Sequence, residues 1–212
     1  MYKSEKFWDR AAKKADKGFN QLDESYSKLV EVIGKYLNST DIVMDFACGT
    51  GKITLAIAGS VKTVQAIDIS AKMLDVAKNK AAQRNITNIE FVQSNLFDPQ
   101  HKPASLDVII ASGVLHLLED SEQVMDKIDQ LLKPGGLFIS ATGCLGEKTT
   151  ALSFIARLLT KIKLLPYIRF FTIADLKALI TKADFQIVER QLLDAKVTNY
   201  LVVAKKRAKN RP

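Results

Sequence analysis

The chain has 212 residues, 47% of them hydrophobic and 25% charged, and a formal net charge of +8. This length and composition predict one folded domain with one main core and exclude a disordered or collagen-like chain. No apolar run reaches the roughly 18–20 residues of a membrane-spanning helix, and residues 1–6 lack the apolar stretch of a signal peptide, so we expect a cytoplasmic protein.

The charge and the cysteine content of the chain predict neither a specific macromolecular partner nor a metal site. A sequence pI near 9.4 is compatible with contacts to nucleic acid or to an anionic membrane. Much of the excess charge lies, however, between Lys205 and Pro212, which we interpret as a solubilising end with no assigned function. Cys48 and Cys144 give neither a disulfide framework nor a zinc-type spacing, so no metal site is expected.

Helical periodicity dominates residues 1–39, which are predicted as N-terminal helices. Apolar residues recur there at three- and four-residue steps and share one face; they are Leu22, Tyr26, Leu29, Val30, Ile33, Tyr36 and Leu37. From residue 40 to 142, short β-rich runs alternate with helices, as in an α/β fold with a mostly parallel sheet. The strands predicted there begin with Ile42–Met44 and continue with Thr63–Asp68, Ile89–Gln93, Leu106–Ala111 and Leu137–Ala141.

Capping residues mark the starts of the helices. Ser70 is predicted to cap one helix, and capping-box spacings that begin at Asp120 and at Thr172 mark two others. Pro134-Gly135-Gly136 is predicted as a turn that leads into the fifth strand.

The C-terminal part completes the sheet. Residues 143–171 are predicted as a helical insert, and residues 172–205 as a helix and two strands, Phe185–Leu192 and Tyr200–Ala204. Because no helix separates these two strands, they should pair as a hairpin. The prediction is a single α/β domain whose seven-stranded sheet is mostly parallel with an antiparallel edge, has helices on both faces and is followed by the basic tail 206–212.

The loop after the first strand, Asp45-Phe46-Ala47-Cys48-Gly49-Thr50-Gly51, carries the candidate chemistry. Its glycines allow positive φ and close ligand approach at the carboxyl end of a strand. A dinucleotide fingerprint would need glycine where Thr54 stands, and the spacing of a phosphate-binding P-loop is absent. The Asp45 carboxylate would repel a pyrophosphate but suits the ammonium group of S-adenosylmethionine (SAM), which has no phosphate. About 20 residues further on, Asp68 ends the second strand, where a carboxylate can accept both ribose hydroxyls.

Five segments occur in the order and spacing of a known family. They are D-F-A-C-G-T-G (45–51), A-I-D-I-S-x-x-M-L (66–74), F-V-Q-S-N-L-F-D (91–98), I-I-A-S-G-V-L-H-L-L (109–118) and L-L-K-P-G-G (131–136). Over residues 40–142 the chain therefore resembles the class I, Rossmann-like SAM-dependent methyltransferases. The nearest resemblance is to the small-molecule group that includes the ubiquinone/menaquinone-biosynthesis C-methyltransferases.

The resemblance implies SAM as the cofactor and a set of residues that bind it. The implied residues are Asp45, Ala47, Cys48, Gly49, Thr50, Gly51, Ala111 and Ser112 at the methionyl end, Asp68 at the ribose, and Ile69, Asn95 and Leu96 at the adenine, with Met73 also in the set. Two positions depart from the family pattern. Ala47 replaces the usual first glycine, and Asn95 replaces the usual aspartate, although its amide oxygen can still accept from the adenine amino group.

Each assignment has a structural alternative. Asp45 and Asp68 could cap the turn or strand end beside them, and Asn95 could be a turn former. Cys48 is interpreted as a small loop filler rather than a nucleophile. His116 is the candidate general base for an acidic substrate proton; alternatively it is a structural histidine, since methyl transfer needs no base when alignment supplies the rate.

The acceptor is predicted to be a small molecule. The [DNS]-P-P-[FYW] sequence of amino-directed DNA and RNA methyltransferases is missing after the fourth strand, and no Pro-Cys suits cytosine C5 chemistry, so nucleic acid is disfavoured. In the family the N-terminal helices and the insert form a lid over the acceptor. Phe7 and Trp8 would close over SAM or, alternatively, only anchor the first helix. The apolar and cationic segment 151–171 would suit a hydrophobic or anionic acceptor or a membrane surface. The alternative is a helix packed on the domain.

Two functions remain open at this stage. The first is SAM-dependent methylation of a small, hydrophobic molecule. The second is a SAM-fold protein that methylates RNA or protein, or a SAM-binding module without catalysis.

Overall fold

The computed structural model describes residues 3–18, 24–148, 160, 167–195 and 198–207. The predicted lid segment 151–171 lies largely outside these residues, as do residues 208–212 of the basic tail. No helix within the described ranges is long and apolar enough to cross a membrane.

The described elements alternate along the chain as an α/β fold. The helices are α1 (Lys3–Gly18), α2 (Glu24–Gly34), α3 (Lys52–Ile57), α4 (Ala71–Gln83), α5 (Ser121–Leu131) and α6 (Ile173–Lys182), with short 3₁₀ turns at Ala58–Ser60 and Leu115–Leu117. The strands are β1 (Ile42–Phe46), β2 (Thr63–Asp68), β3 (Ile89–Gln93), β4 (Leu106–Ser112), β5 (Leu132–Gly143), β6 (Phe185–Asp194) and β7 (Asn199–Lys206).

The strands form one seven-stranded sheet in the order β3-β2-β1-β4-β5-β7-β6. Neighbours from β3 to β5 are parallel, whereas β7 is antiparallel to both β5 and β6. The predicted hairpin of the last two strands is therefore confirmed, with β7 inserted beside β5 and β6 outside it. The strand order reverses between β1 and β4, which is where ligands bind in open α/β sheets.

Both faces of the sheet are covered by helices, as predicted. On one face, Leu29 and Ile33 of α2 pack with Ile57 of α3 against strand residues such as Val43 and Ile110. On the other face, α5 and α6 cover a second apolar layer. Its members include Met44, Ile109, Phe138, Ile128, Leu131, Leu176 and Ile180. Successive side chains of a strand point to opposite faces, so strands buried on both sides read as continuous apolar runs.

The predicted turn at Pro134-Gly135-Gly136 is wrong, because β5 already begins at Leu132. Leu106 pairs with Leu132 and Val108 with Leu137, so the extra residues form a bulge inside the strand. Gly135 has a φ of 76°, a left-handed conformation that glycine adopts without strain. The bulge allows β5 to remain paired with β4 on both sides of a Pro-Gly-Gly segment that is typical of a turn.

The predicted caps are present. The Ser70 hydroxyl accepts from the Met73 amide at the start of α4, and Asp120 accepts from the Gln123 amide at the start of α5. Thr172 heads a reciprocal capping box at α6. These bonds satisfy amides that the first helical turn leaves without a partner.

Candidate active site

A cavity of about 580 Å³ opens at the carboxyl ends of β1 to β4, at the point where the strand order reverses. Its volume lies within the roughly 300–1,000 Å³ of small-molecule sites. Most of the predicted cofactor residues line it together: Asp45, Ala47, Cys48, Gly49, Thr50, Asp68, Ile69, Met73, Asn95, Leu96 and Ser112. The strand ends thus bring residues far apart in sequence to one place.

The loop between β1 and α3 is shaped by three residues with left-handed backbone. The φ angles are 58° at Ala47, 56° at Gly49 and 77° at Gly51. Alanine in this conformation costs about 1–2 kcal/mol relative to the right-handed region, which explains physically why glycine suits the position of Ala47. The Cys48 amide donates to the Ile67 carbonyl at 3.0 Å and fixes the loop to the end of β2.

The two glycines of the loop face different surroundings. A Cβ built on Gly49 would meet no atom within 4 Å, so this position opens onto the cavity. A Cβ on Gly51 would lie 2.9 Å from the Cβ of Ala77, because Gly51 is where the loop packs on α4. Gly51 is not among the described cavity-lining residues and packs on α4, so its predicted contact with the cofactor stays a prediction.

Asp45 is a buried carboxylate at the end of β1, with 2% of its surface exposed. The Thr54 hydroxyl donates a hydrogen bond to its Oδ2. Burial raises the pKa of Asp45 to about 6, although the bond from Thr54 acts in the opposite direction. A cationic ligand beside it would favour the ionised form.

Asp68 is held by two backbone amides at the end of β2. Its Oδ2 accepts from the Gly49 amide at 2.9 Å, and its Oδ1 accepts from the Ser70 amide at 2.8 Å. Burial raises the pKa of Asp68, and these hydrogen bonds oppose that shift. Asp68 therefore caps its own turn, but each carboxylate oxygen retains a further lone pair for a ligand hydroxyl.

Asn95 is an exposed turn residue that also lines the cavity. Its Oδ1 accepts from the Phe97 amide at 2.8 Å. This is the contact expected if Asn95 acts as a turn former. One lone pair on Oδ1 and the amide protons remain for a ligand. The neighbouring Leu96 is buried, whereas Phe97 is exposed.

Ala111 and His116 are not among the described cavity-lining residues. Ala111 is fully buried within β4. The His116 ring lies against Gly143, where a Cβ would be 3.9 Å from its Cε1, and its Nδ1 has no partner among the described residues. Burial lowers the pKa of His116, which favours the neutral ring. The proposed role of His116 as a base stays a prediction, and its placement favours the structural alternative.

The structure adds lining residues that sequence patterns did not single out as ligands. They include Ser4, Ser25, Tyr26, Lys52, Ser94, Gly113, Val114, Leu117, Leu118 and Asn199. Tyr26 donates from its hydroxyl to the Lys52 carbonyl at 2.9 Å, and the Lys52 ammonium lies 3.9 Å from the centroid of the Tyr26 ring. The spacing of Tyr26 predicts only that it belongs to the apolar face of a helix. Nothing in the sequence indicates that it also lines the cavity.

Helix α1 supplies one wall of the cavity through Ser4 and Trp8. Asp9 fixes this helix to the start of α4, because its Oδ1 accepts from the Ser70 hydroxyl at 2.6 Å and from the Lys72 amide at 3.3 Å. The negative charge of Asp9 also suits the positive end of the α4 dipole. Trp8 thus lines the cavity, and the Phe7 ring packs edge-on against it at a centroid distance of 5.1 Å. Closure of these rings over SAM stays a prediction.

A protein-family comparison matches residues 37–193 to a family described as a methyltransferase domain. The chain belongs to this family of methyltransferase domains. The matched range contains β1 to β5, α6 and most of β6, and thus most of the cavity.

This methyltransferase domain is similar to curated proteins over part of their length. It is 35% identical to a demethylmenaquinone methyltransferase of Lactococcus lactis over 121 residues, which cover 56% of this chain and 47% of the relative. It is 30% identical to a malonyl-[acyl-carrier protein] O-methyltransferase of Halalkalibacterium halodurans over 105 residues, covering 47% of this chain and 38% of the relative. The matched segment spans less than half the length of these relatives.

A solved structure shares the fold of the domain. A SAM-dependent methyltransferase of Methanosarcina mazei superposes with a TM-score of 0.67 at 20% sequence identity, covering 84% of this chain and 98% of that one. At this identity the likeness establishes the fold alone.

Proposed function

We propose that this methyltransferase domain uses SAM to methylate a small, hydrophobic molecule. The single observation that carries the proposal is the pair of carboxylates, Asp45 and Asp68, in one cavity at the switch point of the sheet. A cavity with two carboxylates favours a ligand with positive charge and disfavours a phosphate.

The donor set fits SAM in each part. Asp45 would hold the ammonium group of the methionyl end, and the backbone of the loop at 47–51 would lie against that end of the ligand. The amides of Cys48 and Gly49 already donate within the protein, so they shape the loop. Asp68 would accept from the ribose hydroxyls through the lone pairs that Gly49 and Ser70 leave open. Apolar side chains at the β2 and β3 ends would flank the adenine; they are Ile69, Met73 and Leu96.

Bound there, SAM supplies an electrophilic methyl group on a sulfonium. The protein contributes alignment, since it holds the two reactants in one cavity and so converts a bimolecular step into an effectively unimolecular one. Trp8 on α1 lines the cavity and would help to exclude water. The Asp45 carboxylate is engaged by Thr54, so neither it nor the amide-bound Asp68 is assigned a proton transfer.

The cavity lining that follows β4 supports a hydrophobic acceptor. Its described walls beyond β4 are mainly apolar, with Val114, Leu117, Leu118 and Val124 among them. The names of the relatives, which concern a menaquinone precursor and a malonyl-acyl carrier protein, support acceptors other than nucleic acid. A cytoplasmic location, with contact to a membrane surface where hydrophobic acceptors reside, is part of the same proposal.

The test is calorimetric titration with SAM, before and after Asp68→Ala. We expect the variant to bind SAM about 10- to 150-fold more weakly, the effect of losing hydrogen bonds to a charged group, on the order of 1.5–3 kcal/mol. Asp75→Ala makes the same change at an exposed position of α4 and should leave the affinity unchanged. Tighter binding of NADH than of SAM would overturn the proposal. Transfer of label from methyl-labelled SAM to small molecules, RNA or protein then separates the acceptor classes.

A further inference from the structure

Asn199 is the first residue of β7, and its side chain lines the cavity. Because β7 runs antiparallel to β5, its first residue lies at the edge where the parallel strands end. Asn199 pairs there with Gly143, the last residue of β5. Sequence patterns give no hint of this, since no motif surrounds the position.

Asn199 lies outside the half of the cavity that the proposed cofactor occupies. The residues assigned to SAM follow β1, β2, β3 and β4, whereas β5 lies between β4 and β7. Neighbouring strands are about 4.8 Å apart, so β7 lies about 10 Å from β4 across the sheet. The Asn199 side chain can therefore meet the acceptor without meeting the adenosyl group.

The Asn199 carboxamide is half-buried and makes no hydrogen bond to another described residue. It offers two amide protons and a carbonyl oxygen. A ligand that covers these groups without bonding to them would pay for their desolvation. The site thus favours an acceptor that carries a hydrogen-bonding group at this point.

The residue before Asn199 is strained. Thr198 has a φ of 48°, which is rare for a β-branched residue, and 7% of its surface is exposed. The Cys144 amide donates to its carbonyl at 2.9 Å and holds it to the end of β5. Backbone strain of this kind is concentrated at functional sites. Here the strained residue fixes the point at which Asn199 enters the cavity.

The charge around Asn199 indicates what kind of group it would bind. The charged side chains among the described lining residues are Asp45, Lys52 and Asp68, and all three lie at the ends of β1 and β2. Among the described residues, the β7 side of the cavity presents the neutral Asn199 amide. An uncharged hydroxyl or carbonyl matches a neutral amide, since the two can form a hydrogen bond without burying a charge.

We propose that Asn199 is a specificity-determining residue that hydrogen-bonds a hydroxyl or carbonyl group of a hydrophobic acceptor. The inference rests on the proposed function, because it takes the β1 to β4 half as the SAM site. The acceptor class is then an apolar ring or chain with one uncharged polar group.

The test compares two probes in protein saturated with S-adenosylhomocysteine, which fills the cofactor half. Equilibrium dialysis measures binding of 2-naphthol and of naphthalene, which differ by one hydroxyl. We expect the protein to prefer 2-naphthol about tenfold, the effect of roughly one net hydrogen bond. Asn199→Leu, of similar volume, should lose this preference and keep its affinities for naphthalene and S-adenosylhomocysteine within about twofold.

Asn79→Leu is the matched control, because Asn79 is exposed on α4 and does not line the cavity. Failure of S-adenosylhomocysteine to bind the wild-type protein would overturn the proposed function itself. If it binds, but the wild-type protein shows no preference or Asn199→Leu retains it, only the role of Asn199 is overturned. Should Asn199→Leu fail to fold, Asn199→Ala provides the same comparison with a smaller side chain.

Discussion

Asp45 is the residue whose surroundings bear most directly on ligand binding. Its carboxylate is buried and receives a hydrogen bond from Thr54, yet burial raises its pKa to about 6. The pKa is raised because a charge in a poorly solvated place is costly. A ligand with an ammonium group would compensate for that cost and lower the pKa again.

We therefore expect SAM affinity to depend on pH through Asp45. Above pH 6 the carboxylate of the free protein is ionised and binds a cation; below it the carboxyl takes up a proton that SAM must displace. Affinity should fall by about tenfold from pH 7 to pH 5. In Asp45→Asn, SAM affinity should be low and should not change with pH across this range, apart from a dependence due to Asp68. Burial also raises the pKa of Asp68. An unchanged slope in Asp45→Asn would exclude Asp45 as the titrating group.

The two glycines of the loop should respond differently to substitution. Gly49→Val would place a side chain in open cavity space at a φ of 56°, so SAM affinity should fall at least tenfold with a modest loss of stability. Gly51→Ala would meet Ala77 at 2.9 Å and combine overpacking with strain, for a loss of about 2–4 kcal/mol. Thermal unfolding and SAM titration of both variants separate the effects. A folded Gly49→Val protein with full SAM affinity would contradict the assignment of the loop.

At the scale of elements, α1 packs on α4 and is also joined to the core by hydrogen bonds of its acidic side chains. Asp9 links it to Ser70 and to the Lys72 amide, and Glu5 accepts a bond from Gln93 at 3.3 Å. Ser70 in turn donates its amide to Asp68, so the attachment of α1 and the proposed ribose site share one residue.

Asp9→Ala should loosen α1 without unfolding the sheet. We expect faster amide exchange within the described α1 residues and a several-fold weaker SAM affinity, because Trp8 would be placed less firmly over the cavity. Hydrogen exchange and SAM titration measure the two effects. Arg10→Ala, an exposed change on the same helix, is the control. Unaltered exchange in α1 after Asp9→Ala would show that this contact does not hold the helix.

At the scale of the molecule, the cavity is built from the ends of strands that lie side by side in one sheet. β1 pairs with both β2 and β4, so Asp45 stands at the centre of the site. A ligand bound across these strand ends contacts several elements that separate on unfolding. Binding to the folded state alone then raises the free energy of unfolding.

SAM at 100 times its dissociation constant should raise the melting temperature by about 5–10 °C. The shift follows from about 2.7 kcal/mol of binding linkage and about 2–4 °C per kcal/mol for a protein of this size. Differential scanning fluorimetry provides the measurement, with NADH as the control because its pyrophosphate should be repelled. An equal shift with NADH would argue against a site selected by two carboxylates.

Much of the site was readable from the sequence, because the features that define it are local. The end of each strand follows from an apolar run, and a polar residue at that point must lie at the carboxyl edge of the sheet. Asp45 and Asp68 were located this way. The caps at Ser70 and Thr172 depend only on residues three positions apart, so they too were predicted correctly.

The tertiary structure alone decided what depends on contacts between distant elements. Pro134-Gly135-Gly136 reads as a turn, but pairing with β4 makes it a bulge within β5. Tyr26 and Asn199 reach the cavity because α2 packs over the sheet and β7 inserts beside β5, and neither event leaves a mark within a few residues of them. Periodicity shows which face of an element is buried, whereas the neighbour it packs against is set by the packing of the whole chain.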